Sequence, residues 1–349
     1  MKVVLINDRL NAGGAEKMLV YIANILYKNH VEVSVVLLLS KAALDNQIHP
    51  NIPINYINRT SRFSIKAFVK IKKFVKEADI VHVHSRYNLR YYMIAKFLMN
   101  IKKPKIFFHE HVPSFEIDFF TKTLFALVDG YVAVQDKMRQ WAVEKKMVTS
   151  DKAFYLANTV DAPVTPIIYD NNSFKIIMIG NYRPQKNQLF AVTLLAKLPN
   201  NFSLDIYGMV DDENYYTELK THIEKLGQQH RVNLVQGITN IYDQLSQYKF
   251  ALHTASMETG PLVLVEYLYA KLPFITYKTG DVVTLLEEYI PNFIVDNFNE
   301  DEWLNRINNF NKKESWVQEK MQMHHIIEQH FSGQAYLTKL LSIYKKLIA

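Results

Sequence analysis

The sequence contains no cysteine among its 349 residues. Disulfide bonds, thiolate zinc sites and thiol nucleophiles are therefore excluded, and a chain of this length buries enough surface to fold without such cross-links. It also lacks an apolar run near the roughly 20 residues that a membrane-spanning helix needs. The first apolar run reaches charged residues after six positions, which is too short for a signal peptide. We expect a cytoplasmic protein, or one that sits on the inner membrane face without crossing it.

Acidic residues are scarce in the first half of the chain. Residues 1–165 contain 24 Lys and Arg against 14 Asp and Glu, whereas residues 166–349 contain 17 against 20. A basic half of this kind attracts anionic lipid, nucleic acid or a phosphorylated substrate. Its clearest basic patch is 59–76, where apolar residues recur at helical spacing and lysines occupy the remaining face. A solvated outer helix and a membrane-facing helix fit this patch equally well.

Short apolar segments alternate with helical patterns along the chain, which is typical of parallel sheets covered by helices. The predicted strands are 3–7, 31–39, 80–84, 105–109, 130–134, 175–179, 203–207, 232–235, 250–254 and 274–277. The stretch 158–172 contains two prolines and a polar cluster, the composition of a connector. This pattern predicts an α/β fold of two doubly wound domains facing a cleft, namely 1–165 and 166–325. The helical sequence 326–349 is long enough to cross back to the first domain.

Two adjacent glycines follow the first predicted strand and open a helix. Gly13 and Gly14 let a ligand approach the backbone, and the helix N-terminus offers unpaired N–H groups to an anion. The motif therefore outlines a phosphate site, although it lacks the G-x-G-x-x-G spacing of dinucleotide-binding loops. The alternative is a tight strand-to-helix turn in which Glu16 is a first-turn helix acid.

Charged residues follow two strands of the second half. Arg183 and Lys186 come after the strand 175–179 and could neutralise a diphosphate, or could form an ordinary solvated loop. Glu258 precedes a helix and Glu266 lies inside it, too far along the helix for the two carboxylates to share a proton. The two carboxylates could accept hydrogen bonds from two separate hydroxyl groups along one extended ligand. The alternative is an ion pair inside the protein.

These motifs together resemble a known enzyme family. GGAE at 13–16, GNYRPQKN at 180–187 and the E-x7-E unit in SMETGPLVLVE at 256–266 are similar to the family-4 retaining glycosyltransferases of the GT-B fold. The resemblance covers nearly the whole chain. It implies two Rossmann-like domains, with the acceptor bound by the first and a nucleotide-sugar, most simply a UDP-sugar, bound by the second. It also implies a hexosyltransferase whose acceptor is a lipid-linked or cell-surface glycan precursor, as in bacterial surface-polysaccharide assembly.

The resemblance implies roles for individual residues. The expected catalytic residues are His111, Arg183, Lys186 and Glu258. The expected donor-binding residues are Gly13, Gly14, Glu16, Arg183, Lys186, Glu258, Thr259, Gly260, Pro261, Leu262 and Glu266. Glu258 would accept hydrogen bonds from the donor sugar and Glu266 from the ribose, while backbone N–H groups from Gly260 to Leu262 would hold sugar and phosphate. His109 is the alternative to His111 as the cleft histidine.

The chain departs from the family pattern at two places. Asn181 follows the loop glycine where the family most often has arginine, so the phosphate contact of Arg183 is less firmly implied. Gln135 follows the strand 130–134 where a serine is common, which points to a different acceptor contact.

The resemblance implies substitution with retention at the anomeric carbon, without a side-chain nucleophile. Catalysis would then be mainly electrostatic, since preplaced cations and N–H donors stabilise the departing phosphate. No D-x-D pattern occurs and the nearest acidic cluster is 211–213, so we expect neither a metal nor a cofactor. The alternatives are an epimerase of the same fold and a basic nucleic-acid-binding or membrane-binding protein without catalysis. We expect no nucleic-acid partner because no recognisable module accompanies the basic charge, although 86–92 mixes cations with aromatic residues.

Overall fold

The computed structural model describes residues 1–11, 13–61, 63–111, 118–160, 174–237, 241–313 and 316–349. The chain divides into two compact units, of which the first comprises Met1–Val160 with Ser332–Ala349 and the second comprises Asp161–Phe331. The sequence placed these boundaries after residues 165 and 325. The second boundary lies later because the C-terminal helical sequence is interrupted at Ser332, whose hydroxyl accepts a hydrogen bond from Ala335 N–H at 3.2 Å and starts a new helix. Residues 161–172 of the predicted connector lie outside the described part of the chain.

The first unit contains a parallel sheet of seven strands. These are β1 (Lys2–Asn7), β2 (Glu32–Leu37), β3 (Ile54–Tyr56), β4 (Ile80–His84), β5 (Lys105–Glu110), β6 (Gly130–Ala133) and β7 (Ala153–Tyr155). Their order across the sheet is β3-β2-β1-β4-β5-β6-β7. The order reverses between β1 and β4, so the loops after these two strands lie where doubly wound sheets bind ligands.

In the described part of this unit, five helices connect these strands. They are α1 (Gly14–Lys28), α2 (Ile65–Val75), α3 (Arg86–Leu98), α4 (Phe119–Ala126) and α5 (Asp136–Glu144). β4 is buried along its whole length because helices cover both faces of a parallel sheet. This is why its sequence, IVHVH, places two histidines in the interior.

The second unit repeats this architecture with a parallel sheet of six strands in the order β10-β9-β8-β11-β12-β13. The strands are β8 (Lys175–Ile179), β9 (Ser203–Tyr207), β10 (Val232–Val235), β11 (Phe250–His253), β12 (Phe274–Tyr277) and β13 (Ile294–Val295). The helices are α6 (Gln188–Ala196), α7 (Glu213–Lys225), α8 (Tyr242–Leu245), α9 (Leu262–Ala270), α10 (Asp281–Tyr289), α11 (Glu300–Lys312) and α12 (Val317–Ile326). Here the strand order reverses between β8 and β11.

The last helix, α13 (Gly333–Ile348), belongs to the first unit. The ring of Tyr336 packs edge-on against Tyr21 of α1 at 5.4 Å, and Lys346 Nζ donates to the carbonyl of Asp151 at 2.9 Å. The prediction of two Rossmann-like α/β domains, with the C-terminal helix packed on the first, is therefore confirmed. Within the described residues, no helix combines the length and the apolar character required to span a bilayer.

Candidate active site

The loop after β8 is held rigidly at the edge of the second sheet. The buried ring of Tyr182 donates its hydroxyl to the carbonyl of Ile206 at 2.7 Å, and Gln188 Nε2 donates to the carbonyl of Gly180 at 3.1 Å. Gly208 passes so close that a Cβ there would lie 2.3 Å from the Gly180 oxygen. The loop ends in a short 3-10 helix, Pro184–Lys186, which fixes the position of the Lys186 side chain.

The loop after β11 is tied to the loop after β8. Thr254 Oγ1 donates to the carbonyls of Lys186 at 3.1 Å and Asn187 at 2.9 Å, and Ser256 N–H donates to the carbonyl of Gln185 at 2.9 Å. Because β8 and β11 are neighbours in the sheet, these bonds bring together two segments about 70 residues apart in sequence.

Lys186 and Glu258 form an ion pair where these loops meet. Their side chains are only 13% and 12% exposed, so this pair is largely removed from solvent. Burial alone would raise the pKa of Glu258, but the neighbouring His253 ring and the Lys186 ammonium together lower it to about 2. Glu258 is therefore ionised at neutral pH and presents only hydrogen-bond acceptors. Its backbone N–H donates to Thr279 Oγ1 at 3.0 Å, which anchors the main chain at this residue.

His253 lies behind this ion pair at the end of β11. Its Nε2 is 3.7 Å from Glu258 Oε1, and its Nδ1 lies 2.9 Å from Thr276 Oγ1. Burial lowers the pKa of His253, so the ring is neutral near pH 7. Neither His253 nor Thr279 was predicted from the sequence. The sequence feature that could have indicated His253 is a polar residue at the carboxyl end of an otherwise apolar strand.

Helix α9 begins four residues after Glu258. Thr259, Gly260 and Pro261 lead into it, and Leu262 is its first residue. Since Pro261 has no N–H, it cannot donate the hydrogen bond that the sequence analysis assigned to the range 260–262. The first-turn N–H groups and the positive end of the helix dipole suit an anion.

Glu266 lies in the middle of α9 and is 4% exposed. The neighbouring Tyr267 is fully buried, and burial is the main cause that raises its pKa, with the charge of Glu266 contributing. The structure thus places both glutamates of the E-x7-E unit in or beside one helix, and the ion pair of Glu258 is with Lys186.

Arg183 lies at the other end of the 3-10 helix from Lys186. It is about 44% exposed and its nearest carboxylate is Asp211, at 3.9 Å from Nη1. Asn181 donates to the same carboxylate at 3.0 Å. Because its contact with Asp211 is long and its side chain is exposed, the Arg183 guanidinium can leave Asp211 and bind another anion.

The glycine motif of the first unit begins α1. Gly13 is the N-cap residue with extended φ, ψ values of −89° and 164°, and Gly14 is the first helical residue. A Cβ on Gly13 would lie 2.3 Å from a carboxylate oxygen of Glu16, so the acid folds back over the helix N-terminus. This position fits the interpretation of Glu16 as a first-turn helix acid.

The two candidate histidines lie at the end of β5. His111 Nε2 is 3.0 Å from His84 Nδ1, and burial lowers the pKa of His111 to about 3. His109, two residues earlier and within β5, is fully buried, with its Nδ1 at 3.2 Å from His82 Nε2. Of the two, only His111 is partly exposed and thus able to reach a ligand.

Both halves of the chain match family models. Residues 12–162 match Glycosyltransferase Family 4, and residues 167–329 match Glycosyl transferases group 1. Taken together, the two matches span most of the chain. The chain is a glycosyltransferase of the GT-B fold. No curated protein is similar enough in sequence to count as a relative.

Solved structures share the architecture of this glycosyltransferase over its full length. Anabaena Alr3699/HepE, in complex with UDP and glucose, has a TM-score of 0.82 at 18% identity and covers 99% of this chain and 100% of its own. The lipopolysaccharide outer core galactosyltransferase WaaB, in its apo form, has a TM-score of 0.69 at 15% identity, covering 99% and 100%. A variant of S. aureus TarM, in complex with fondaparinux, alpha-GlcNAc-glycerol and UDP, has a TM-score of 0.78 at 12% identity, covering 99% and 100%. At these identities the likeness shows the fold alone.

Proposed function

We propose that this glycosyltransferase moves a sugar from a UDP-sugar to a hydroxyl group of a glycan acceptor, with retention at the anomeric carbon. The observation that carries the proposal is the buried pair of Lys186 and Glu258 beside the N-terminus of α9. A cation, an ionised acceptor and a row of helical N–H groups match the phosphates and hydroxyls of such a donor. UDP in the Anabaena and S. aureus structures supports the choice of uridine.

Each charged residue has a role in this proposal. Lys186 carries three N–H donors, so it can donate to a phosphate oxygen while it keeps Glu258 in place. Arg183 exchanges Asp211 for the diphosphate, because its present contact is long and exposed. Glu258, ionised at neutral pH, accepts hydrogen bonds from the sugar hydroxyls, and Glu266 accepts them from the ribose.

The reaction then needs no side-chain nucleophile. The bond between the anomeric carbon and the phosphate oxygen breaks, the acceptor oxygen bonds to that carbon from the same side, and the acceptor proton passes to the departing phosphate. Lys186, Arg183 and the α9 N–H groups stabilise the negative charge that develops on UDP. The roles in donor binding and catalysis that the resemblance implies for Gly13, Gly14 and His111 of the first unit stay predictions. We expect no metal or cofactor in this step.

The test is a panel of nucleotide-sugars with glycan acceptors, scored by nucleotide release and by the anomeric configuration of the product. Lys186→Ala and Glu258→Ala should each lower turnover at least about 100-fold, since removing one preplaced donor costs roughly 3–4 kcal/mol. Lys197→Ala is the matched control, because it removes an exposed lysine paired with Glu300 in the same unit. Turnover like that of the wild type in both site variants would overturn the assignment, and an isomer formed from donor alone would identify an epimerase.

The acceptor is proposed to be lipid-linked and reached from an anionic inner membrane leaflet. Apolar side chains on and before α2 point into solvent: Phe63 is 73% exposed, Ile65 71% and Val69 55%. Exposed lysines share this segment at positions 66, 70, 72, 73 and 76. Each lysine near such a surface contributes about 1 kcal/mol, so the segment suits peripheral docking. The structural neighbour WaaB, described as a lipopolysaccharide outer core galactosyltransferase, supports the proposal of a lipid-linked acceptor.

Vesicle co-sedimentation tests the docking proposal. The protein should sediment with vesicles that contain phosphatidylglycerol at low salt, and a Phe63→Ser and Ile65→Ser double variant should lose most of this binding. Phe97→Ser is the control, because Phe97 is 86% exposed and lies on a different helix. Equal sedimentation with neutral vesicles, or no sedimentation at all, would favour a soluble acceptor carrying phosphate or carboxylate groups.

A further inference from the structure

A cluster of histidines fills the interior of the first unit. His82 and His84 alternate on one face of β4, and His109 on β5 is the direct register partner of His84. All three rings are fully buried, and one ring nitrogen from each lies within 4.8 Å of the other two. The strands that carry them are central in the sheet, so the three imidazoles are held on a rigid scaffold.

The hydrogen bonds of this cluster leave two imidazole nitrogens without a partner. His82 Nδ1 lies 2.6 Å from the hydroxyl of Tyr344 on α13, and His84 Nδ1 lies 3.0 Å from His111 Nε2. Nε2 of His84 and Nε2 of His109 are both buried and unbonded. Buried polar atoms in folded proteins are nearly always satisfied, so two such nitrogens in one cluster call for an occupant.

The contact between His82 and His109 limits which of their nitrogens can carry a proton. His82 Nε2 and His109 Nδ1 are 3.2 Å apart, and one of them must carry the proton between them if the contact is a hydrogen bond. If His82 donates, the neutral His109 ring must carry its own proton on the unbonded Nε2. A metal ion bonded to His82 Nε2 and His109 Nδ1 would take a lone pair from each ring in place of this contact, and the proton on His82 Nδ1 would then be donated to the Tyr344 hydroxyl.

The distances suit such an ion. Two nitrogens bonded to one tetrahedral metal at about 2.0–2.1 Å lie about 3.3–3.4 Å apart, close to the 3.2 Å between His82 and His109.

We propose that His82, His84 and His109 form a structural binding site for a divalent transition metal of the zinc type in the core of the first unit. Imidazole ligands suit Zn²⁺, Co²⁺, Ni²⁺ and Cu²⁺ and disfavour Mg²⁺ and Ca²⁺. The Tyr344 hydroxyl supports His82 from behind, as outer partners of metal-bound histidines do. The ion would join β4, β5 and α13. It would also leave His84 Nδ1–H free to donate to His111, and so position the candidate catalytic histidine.

The test uses the full-length protein and Zn²⁺ or Co²⁺ alone. After treatment with a chelator, the wild type should bind about one Zn²⁺ per chain in equilibrium dialysis and unfold at a higher temperature with Zn²⁺. Co²⁺ should give the visible absorption of a tetrahedral nitrogen site, a readout that needs no variant. His84→Gln should abolish stoichiometric binding, and Tyr344→Phe should weaken it about 10-fold to 100-fold.

His222→Gln is the matched control, because His222 lies in the second unit and contacts Thr193. It should bind Zn²⁺ like the wild type. If His84→Gln still binds Zn²⁺ stoichiometrically, surface groups hold the ion and the proposal is wrong. The proposal is also overturned if the folded wild type shows neither Zn²⁺ uptake nor a Co²⁺ spectrum. Because the three histidines belong to the first unit and Lys186 and Glu258 to the second, metal binding is measured independently of the nucleotide-sugar assays.

Discussion

Replacing Lys186 with methionine leaves the Glu258 carboxylate buried without its ammonium partner. In the folded protein the pKa of Glu258 is about 2, against 4.5 for an unperturbed glutamate. At about 1.4 kcal/mol for each pKa unit, the environment of this carboxylate contributes about 3 kcal/mol to stability at neutral pH. Breaking a buried pair by removing one partner costs about 3–5 kcal/mol in other proteins, so Lys186→Met should lower the free energy of unfolding by a similar amount.

The loss should depend on pH with a defined sign. The folded pKa of Glu258 lies below its unfolded value, so its stabilisation is complete above about pH 4.5 and is lost as the pH falls towards 2. In Lys186→Met, burial raises the pKa of the carboxyl, and protonation then relieves the unpaired charge. The difference in stability between wild type and variant should therefore be largest near pH 7 and shrink as the solution is acidified below about pH 5.

Urea unfolding at several pH values measures this difference. The double variant Lys186→Met and Glu258→Gln should recover most of the lost stability, because no unpaired charge remains. Its sugar transfer should stay as low as that of Lys186→Met, since both proposed donor contacts are gone. A Lys186→Met protein that loses less than about 1 kcal/mol, or whose loss does not vary between pH 4 and 7, would refute the argument that the pair is buried and coupled.

Three further substitutions probe other parts of the second unit. Glu266→Gln should raise the KM for the donor about 10-fold to 100-fold while the melting temperature changes little, because one of the two oxygens that would accept from the ribose is replaced by an amide donor. Gly208→Ala should destabilise the unit by more than about 1 kcal/mol, since its Cβ would lie 2.3 Å from the Gly180 carbonyl oxygen. Arg231→Met should cost about 3 kcal/mol or more in thermal unfolding, because its buried guanidinium donates to the carbonyls of Phe202, Leu198 and Pro199.

A specific result would contradict each of these three predictions. An unchanged donor KM in Glu266→Gln would remove the residue from the donor site. A melting temperature in Gly208→Ala equal to that of the wild type would mean that the backbone contact is not tight. An Arg231→Met protein of normal stability would show that water can replace the arginine.

Much of the fold could be predicted from sequence. Apolar segments long enough to form buried strands were located in both halves, and each corresponds to a strand of the structure. The strands that escaped prediction are β3, β7 and β13, which have only two or three residues and lie at sheet edges. Such short segments contain too few residues to show a hydrophobic period, and their pairing with a neighbouring strand creates them.

The candidate site could be predicted in part. Arg183, Lys186 and the E-x7-E unit were identified because charged residues at the carboxyl ends of strands are informative on their own. The ion pair between Lys186 and Glu258 was not predicted, since 72 positions separate them. His253 was also missed, because a lone histidine at the end of an apolar strand does not reveal which carboxylate will lie beside it.

The sequence by itself determined the two βα series, the basic character of the first half and the residue types available for a sugar-nucleotide site, because these follow from local composition and spacing. Only the tertiary structure decided that β8 lies beside β11, that α13 returns to the first unit, and that three histidines converge between β4 and β5. The physical reason is that parallel strands pair through hydrogen bonds between distant segments. The chemistry at their ends therefore depends on which strands become neighbours.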